Sequence, residues 1–170
     1  ETARKPIEDL SKLFEKLRRN KNFLKKRDYY FKHYLGGETP FFKLKNLTKY
    51  LGGAQIWCKD VSAINGDAHK AYHATVNALI CKESGRKFIA GDTGAGMFGK
   101  NLALAAKEMK LSAKIFMGTK DISRQAPNVK FMREAGAEVV PVDSGSKTLV
   151  DAVSELSLIH ISEPTRLERI

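Results

Sequence analysis

Lys87-Phe88-Ile89-Ala90-Gly91-Asp92-Thr93-Gly94-Ala95-Gly96-Met97-Phe98-Gly99-Lys100-Asn101 is the stretch that decides the fold. Lys87–Gly91 is a short apolar run of strand length. Gly94–Gly99 is a glycine-rich loop, and the spacing predicts a helix rich in Ala and Leu over Lys100–Lys110. The same alternation continues downstream. Ala113–Met117 reads as a strand, Asp121–Ala135 as a helix closed by Gly136, Ala137–Val142 as a nearly pure apolar strand, and residues 147–156 as a further helix. Strands separated by helices imply βαβ units. The expected architecture is α/β, a parallel sheet flanked by helices.

Upstream of that core the pattern is helical. Residues 67–84 place Ala68, Tyr72, Thr75, Val76, Leu79 and Ile80 at helical spacing, with Gly85 as the stop. Residues 6–19 form an amphipathic helix, with Pro6 in its first turn and Ile7, Leu10, Phe14 and Leu17 on one face. Asn20 breaks it. A second helix carries Phe23, Leu24, Tyr30, Phe31 and Tyr34 and ends at Gly36-Gly37. Thr39-Pro40 leads to a short helix at 43–51, and Gln55–Lys59 is a strand candidate. The expected organisation is a helical segment at 1–53 and a partial α/β domain at 54–155.

The 170 residues are 42% hydrophobic and 29% charged, which supports a packed core and excludes wholesale disorder. No apolar stretch is long enough for a spanning helix, and the charged N-terminus lacks a secretory apolar core. With only Cys58 and Cys81, a disulfide scaffold is not expected, and a reducing cytoplasmic setting is. The net charge of +11 is concentrated early: residues 1–50 hold fourteen Lys/Arg against six Asp/Glu. Most of the basic residues are Lys, whereas base readers favour Arg forks, so the excess reads as a solvated surface and not a nucleic-acid interface.

Three chemistries suit the glycine loop. Gly94, Gly96 and Gly99 match the G-x-G-x-x-G dinucleotide pattern, with Asp121 as a ribose-binding acid or a helix cap. Gly94–Lys100 approximates a nucleotide P-loop, but Asn101 stands where a Ser or Thr hydroxyl would meet magnesium. The loop amides could also hold a small carboxylate, with Asp92 beside it as a proton-transfer group. Spacing alone leaves all three open, and no metal-ligand set is expected.

The flanking segments carry a resemblance. Asp121-Ile122-Ser123-Arg124-Gln125-Ala126-Pro127-Asn128-Val129, Phe131-Met132, and Gly136–Leu149 closely resemble the β chain of tryptophan synthase. Lys32-His33-Tyr34, Glu38-Thr39-Pro40 and Leu51-Gly52-Gly53-Ala54 do as well. His69-Lys70 and Asp92–Gly96 fall at that family's spacing, and the likeness covers about residues 7–155. It implies a fold-type II pyridoxal 5'-phosphate enzyme, N-terminal half only. The reaction implied is β-replacement of the L-serine hydroxyl by indole to give L-tryptophan. The implied partners are an α chain and, for the full-length protein, a second β chain. By this resemblance Lys70 is the lysine that binds the cofactor aldehyde, and His69 contacts the cofactor phosphate. The carboxylate of the amino acid would lie against the amides of Thr93, Gly94, Ala95, Met97 and Phe98.

The likeness departs at three places. The family has Glu at Asp92 and Gln-His at Met97-Phe98, and its segment before the His-Lys pair differs throughout Lys59–Asp67. These changes keep open a non-catalytic descendant that retains an α-chain surface. The likeness also ends at Glu155, before the family's phosphate-binding loop. Residues 156–170 read instead as the translation of a sequencing-library adapter. The chain is therefore expected to be a fragment of a longer protein.

Overall fold

A computed structural model of the chain describes residues 4–158, so residues 159–170, most of the expected tail, lie outside the described residues. The decisive stretch folds as its pattern demands. β3 (Phe88–Asp92), β4 (Ser112–Gly118) and β5 (Glu138–Val142) form a three-stranded parallel sheet in that order. Phe88 pairs with Ser112 and Asp92 with Phe116, while Lys114 pairs with Glu138 and Gly118 with Val142. The elements before it are α1 (Arg4–Leu17), α2 (Lys21–Tyr29), β1 (Phe41–Lys43), α3 (Lys45–Leu51), β2 (Trp57–Lys59) and α4 (Lys70–Glu83). The crossovers are α5 (Met97–Met109) and the pair α6 (Thr119–Arg124) and α7 (Ala126–Glu134), and α8 (Leu149–Ser157) follows.

Strand alternation sorts the core into two layers. Ala113, Ile115, Met117 and Val139 face one way, onto Leu102, Ala105 and Ala106 of α5, Val129 and Met132 of α7, and Ala74 and Ala78 of α4. Phe116, Val142, Ala90 and Val140 face the other way, onto Ala152 and Leu156 of α8. Small residues on α4 and α5 let those helices pack closely, and buried Leu and Met fill the remaining gaps.

Four local expectations change. The helix expected at 100–110 begins at Met97, because Gly96 takes a left-handed φ of +85° and turns the chain directly into the helix. The single helix expected over 121–135 is two helices divided at Gln125. Pro127, the second residue of α7, has no N–H to give to the preceding turn and its ring crowds that turn. The second N-terminal helix widens at its end into a π-helical turn, Tyr30–Tyr34. Phe41–Lys43, read as extended link and helix start, is a strand pairing antiparallel with β2, a contact that crosses the expected boundary at 53.

Candidate functional site

All three parallel strands end on one side of the sheet, at Asp92, Gly118 and Val142. The crevice beyond the carboxyl ends of parallel strands is where such sheets take ligands. Here it is bounded by the turn 93–96, the first turn of α5, and the segment 143–148 that leads into α8.

Gly91 and Asp92 leave β3 on opposite faces. A Cβ at Gly91 would strike Leu102 and Phe98 of α5, so the pleat sends the Asp92 side chain to the α8 face. Asp92 is half-buried, and its carboxylate has no hydrogen-bond or ion-pair partner among the described residues. Thr93 turns back toward α5. It is 4% exposed, and its hydroxyl accepts the Gly99 N–H at 3.3 Å, capping the helix. Its own N–H donates to the Phe116 carbonyl at 3.0 Å, which extends the β3–β4 ladder.

The next amides are different. Among the described residues, none accepts a hydrogen bond from the N–H groups of Gly94, Ala95, Gly96, Met97 or Phe98. They open the N-terminus of a thirteen-residue helix, where unpaired donors and the helix dipole favour an anion. The turn is held from behind by Asn128 of α7, whose side-chain amide donates to the Ala95 carbonyl at 2.9 Å. A Cβ at Gly96 would lie 2.6 Å from that asparagine, so glycine is required there for contact as well as for its positive φ. Asn128 was quoted in the sequence only as part of a family-like segment; its place under the loop depends on how α7 packs against α5.

Lys70 is the first residue of α4 and is half-buried, without an ion pair among the described residues. His69 stands before it at the N-cap position, exposed, and its side chain does not cap the helix. The turn that precedes them, Gly66–Asp67, lies against α5. Lys100 Nζ pairs with Asp67 at 2.7 Å, and the buried Asn101 side-chain amide donates to the Gly66 carbonyl at 3.1 Å. One turn into α4, the His73 ring lies 5.2 Å from the Phe98 ring. The structure thus brings the turn before the His-Lys pair onto the same helix end that bears the unpaired amides.

These positions weigh against the P-loop chemistry of the loop. A P-loop needs its lysine free for phosphate and its next side chain turned to a metal. Lys100 instead pairs with Asp67 and sits 5.1 Å from the Phe131 ring, and Asn101 points into the core. Thr119 and Lys147 close the far rim: both hydrogen-bond to Asp143, which holds that carboxyl below its ordinary range. Among the described residues no group of His, Cys, Asp and Glu could hold a metal ion, and no helix is long and apolar enough to cross a membrane.

A family model described as "Pyridoxal-phosphate dependent enzyme" matches residues 33–159. Two tryptophan synthase beta chains, from Acinetobacter calcoaceticus and Acinetobacter baylyi, are each 40% identical over 155 residues. The match takes in 91% of this chain and 38% of theirs. That of Chromobacterium violaceum is 37% identical over the same length. The chain therefore spans under two fifths of the curated relatives it matches. The crystal structure of a pyridoxal 5'-phosphate-dependent aspartate racemase superposes with a TM-score of 0.61 over 80% of this chain and 41% of its own, at 20% identity, and so shares the fold.

Proposed function

The chain belongs to the pyridoxal-phosphate-dependent enzyme family, and from that premise we propose that it is the N-terminal part of a tryptophan synthase β-type enzyme, which replaces the hydroxyl of L-serine with indole. What supports the reading is that the turn just before Lys70, at Gly66–Asp67, is bonded to Lys100 and Asn101 of α5. The opening amides of that helix are without an acceptor among the described residues, and Lys70 begins α4 without an ion pair among them.

The residues present fit the cofactor. Lys70 supplies an amine for its aldehyde, and His69, exposed with no capping duty, is available to its phosphate. When bound, the cofactor ring would accept electron density from the α-carbon of the amino acid. The chain's own groups do the rest. The amides of Gly94, Ala95, Met97 and Phe98 orient the carboxylate of the amino acid, with the helix dipole adding to the attraction. Thr93 contributes by capping α5, since its amide is committed to Phe116. Lys70 removes and returns the proton at the α-carbon, and Asp92 delivers a proton to the departing serine oxygen. The similarity to β chains supports an α chain and a second β chain as partners of the whole protein, and a cytoplasmic setting.

The test uses the coding sequence continued past Glu155 in the manner of its relatives. L-Tryptophan formation from L-serine and indole should fall by at least about a thousandfold in Lys70→Ala. It should fall by about a hundredfold in Asp92→Asn, the usual share of one proton-transfer group. Activity left intact in Lys70→Ala would end the proposal.

A further inference from the structure

Lys100 and Asn101 stand out in the sequence as an imperfect phosphate motif, yet neither faces the ligand crevice. Asn101 is 2% exposed, and its side-chain amide donates twice, to the Met97 carbonyl one turn back at 2.9 Å and to the Gly66 carbonyl at 3.1 Å. Both acceptors matter. Met97 opens the helix with the unpaired amides, and Gly66 lies four residues before Lys70. A single side chain therefore bonds the backbone of the first turn of α5 and that of the turn before Lys70.

The fit around it is close. Gly66 has a φ of +103°, and a Cβ there would overlap the Asn101 side-chain oxygen Oδ1 and approach Ala71 at 3.2 Å. The turn at 66 is thus pressed onto Asn101 and has no room to slide. Lys100 adds a second tie on the outer side, pairing with Asp67 while its ammonium lies 5.1 Å from the Phe131 ring. Its side chain is 15% exposed against 67% for Asp67, so the pair is shielded on one side only. A buried amide whose two N–H bonds are both made favours one arrangement, because moving either acceptor leaves a buried donor unpaired.

We propose that Asn101, assisted by the Lys100–Asp67 pair, is a positioning residue that sets where Lys70 stands relative to the anion-binding amides of α5. The inference rests on the functional reading above and deepens it. A displacement of about 1 Å between reacting groups costs on the order of a hundredfold in rate. A fixed bridge at this point therefore controls whether the lysine can serve a ligand held at α5. Asn101 touches neither substrate nor cofactor.

The experiment uses the 170-residue chain and two readouts. The first is amide hydrogen exchange in the wild type, Asn101→Ser and Lys100→Met. Serine can still bond the Met97 carbonyl within the helix but cannot reach Gly66, so it cuts the bridge and spares α5. Exchange over 64–70 should quicken by about tenfold or more in Asn101→Ser and by about threefold in Lys100→Met, while amides of β4 and β5 stay unchanged. The second readout is trapping of pyridoxal phosphate on lysine with borohydride, with Lys70 quantified by peptide mass against Lys82 at the far end of the same helix. The wild type should favour Lys70, and the Lys70 to Lys82 ratio should fall at least about fivefold in Asn101→Ser. A uniform rise in exchange across the whole chain would make Asn101 a plain core strut and overturn the inference. So would an unchanged labelling ratio. Absence of any Lys70 preference in the wild type would instead count against the functional reading, while the exchange result would still decide the bridge.

Discussion

The β3–α8 half and the N-terminal segment up to β2 are both rich in apolar residues but bury them differently. In the sheet half, Ile115, Met117 and Met132 are wholly enclosed, because every strand face meets a helix. In the N-terminal segment, Leu17 and Phe23 are anchored in the same core, yet Ile7, Leu10 and Phe14 of α1, Phe41 and Trp57 of the two-stranded ribbon, and Tyr50 of α3 are exposed. Amphipathic patterning makes a helix, but only a second surface turns its apolar stripe into stability. The two halves should therefore respond very differently to the same kind of substitution.

The largest effect is expected inside the sheet half. Leu102 is 1% exposed and packs in the main core cluster beneath Gly91. Leu102→Ala removes its side chain from a close-packed layer, and the expected loss is about 2–5 kcal/mol. Urea unfolding followed by circular dichroism measures it. A loss below about 1 kcal/mol would mean that the layer between α5 and the sheet is loosely packed, and the contrast between the halves would weaken.

The next test sits where the N-terminal segment packs on the stretch that leads into α4. Tyr34 closes the π-helical turn, packs with Leu35, Ile64 and Ala71, and has its hydroxyl pushed up to about 12. Burial is the main cause, Glu108 adds to it, and a hydrogen bond with Asn65 opposes it. The folded state holds this proton more tightly than the unfolded chain does. Its contribution is therefore complete below about pH 10 and is lost as the pH rises from about 10 to 12. Because the ring is only half-buried, the loss is on the order of 1 kcal/mol. Tyr34→Phe should flatten the stability profile over that window while leaving it nearly unchanged at pH 7. An alkaline loss equally large in Tyr34→Phe would assign the effect to other groups.

How much of this was visible in the residues follows the same division. The βαβ rhythm from Lys87 to Val142 was legible, because buried parallel strands are short apolar runs separated by helix-length polar patterning. The helix start at Met97 was not. It is set by the left-handed Gly96 and by Asn128 closing over it, a contact between residues 32 positions apart. The strand at Phe41–Lys43 was hidden because three residues carry no period, and only pairing with Trp57–Lys59 defines them. At the candidate site, the resemblance alone pointed to Lys70 and the glycine turn. Asn101 looked like a poor magnesium ligand, since nothing local says that Gly66 will lie against it.

The smallest effect is expected on α1, and it sharpens the comparison most cheaply. Leu10 is 57% exposed, on the same stripe as Ile7 and Phe14. Exchanging an exposed leucine for glutamine removes little buried area and keeps a good helix former. Leu10→Gln should therefore shift the unfolding free energy by no more than about 0.5 kcal/mol in either direction. The same change breaks a continuous apolar stripe, which is the kind of surface that drives association. Sedimentation at rising concentration should show less self-association in the variant than in the wild type. A loss of more than about 1 kcal/mol would show that something covers α1 in solution. That would erase the distinction between a half that encloses its own core and a segment that leaves Ile7, Leu10 and Phe14 exposed among the described residues.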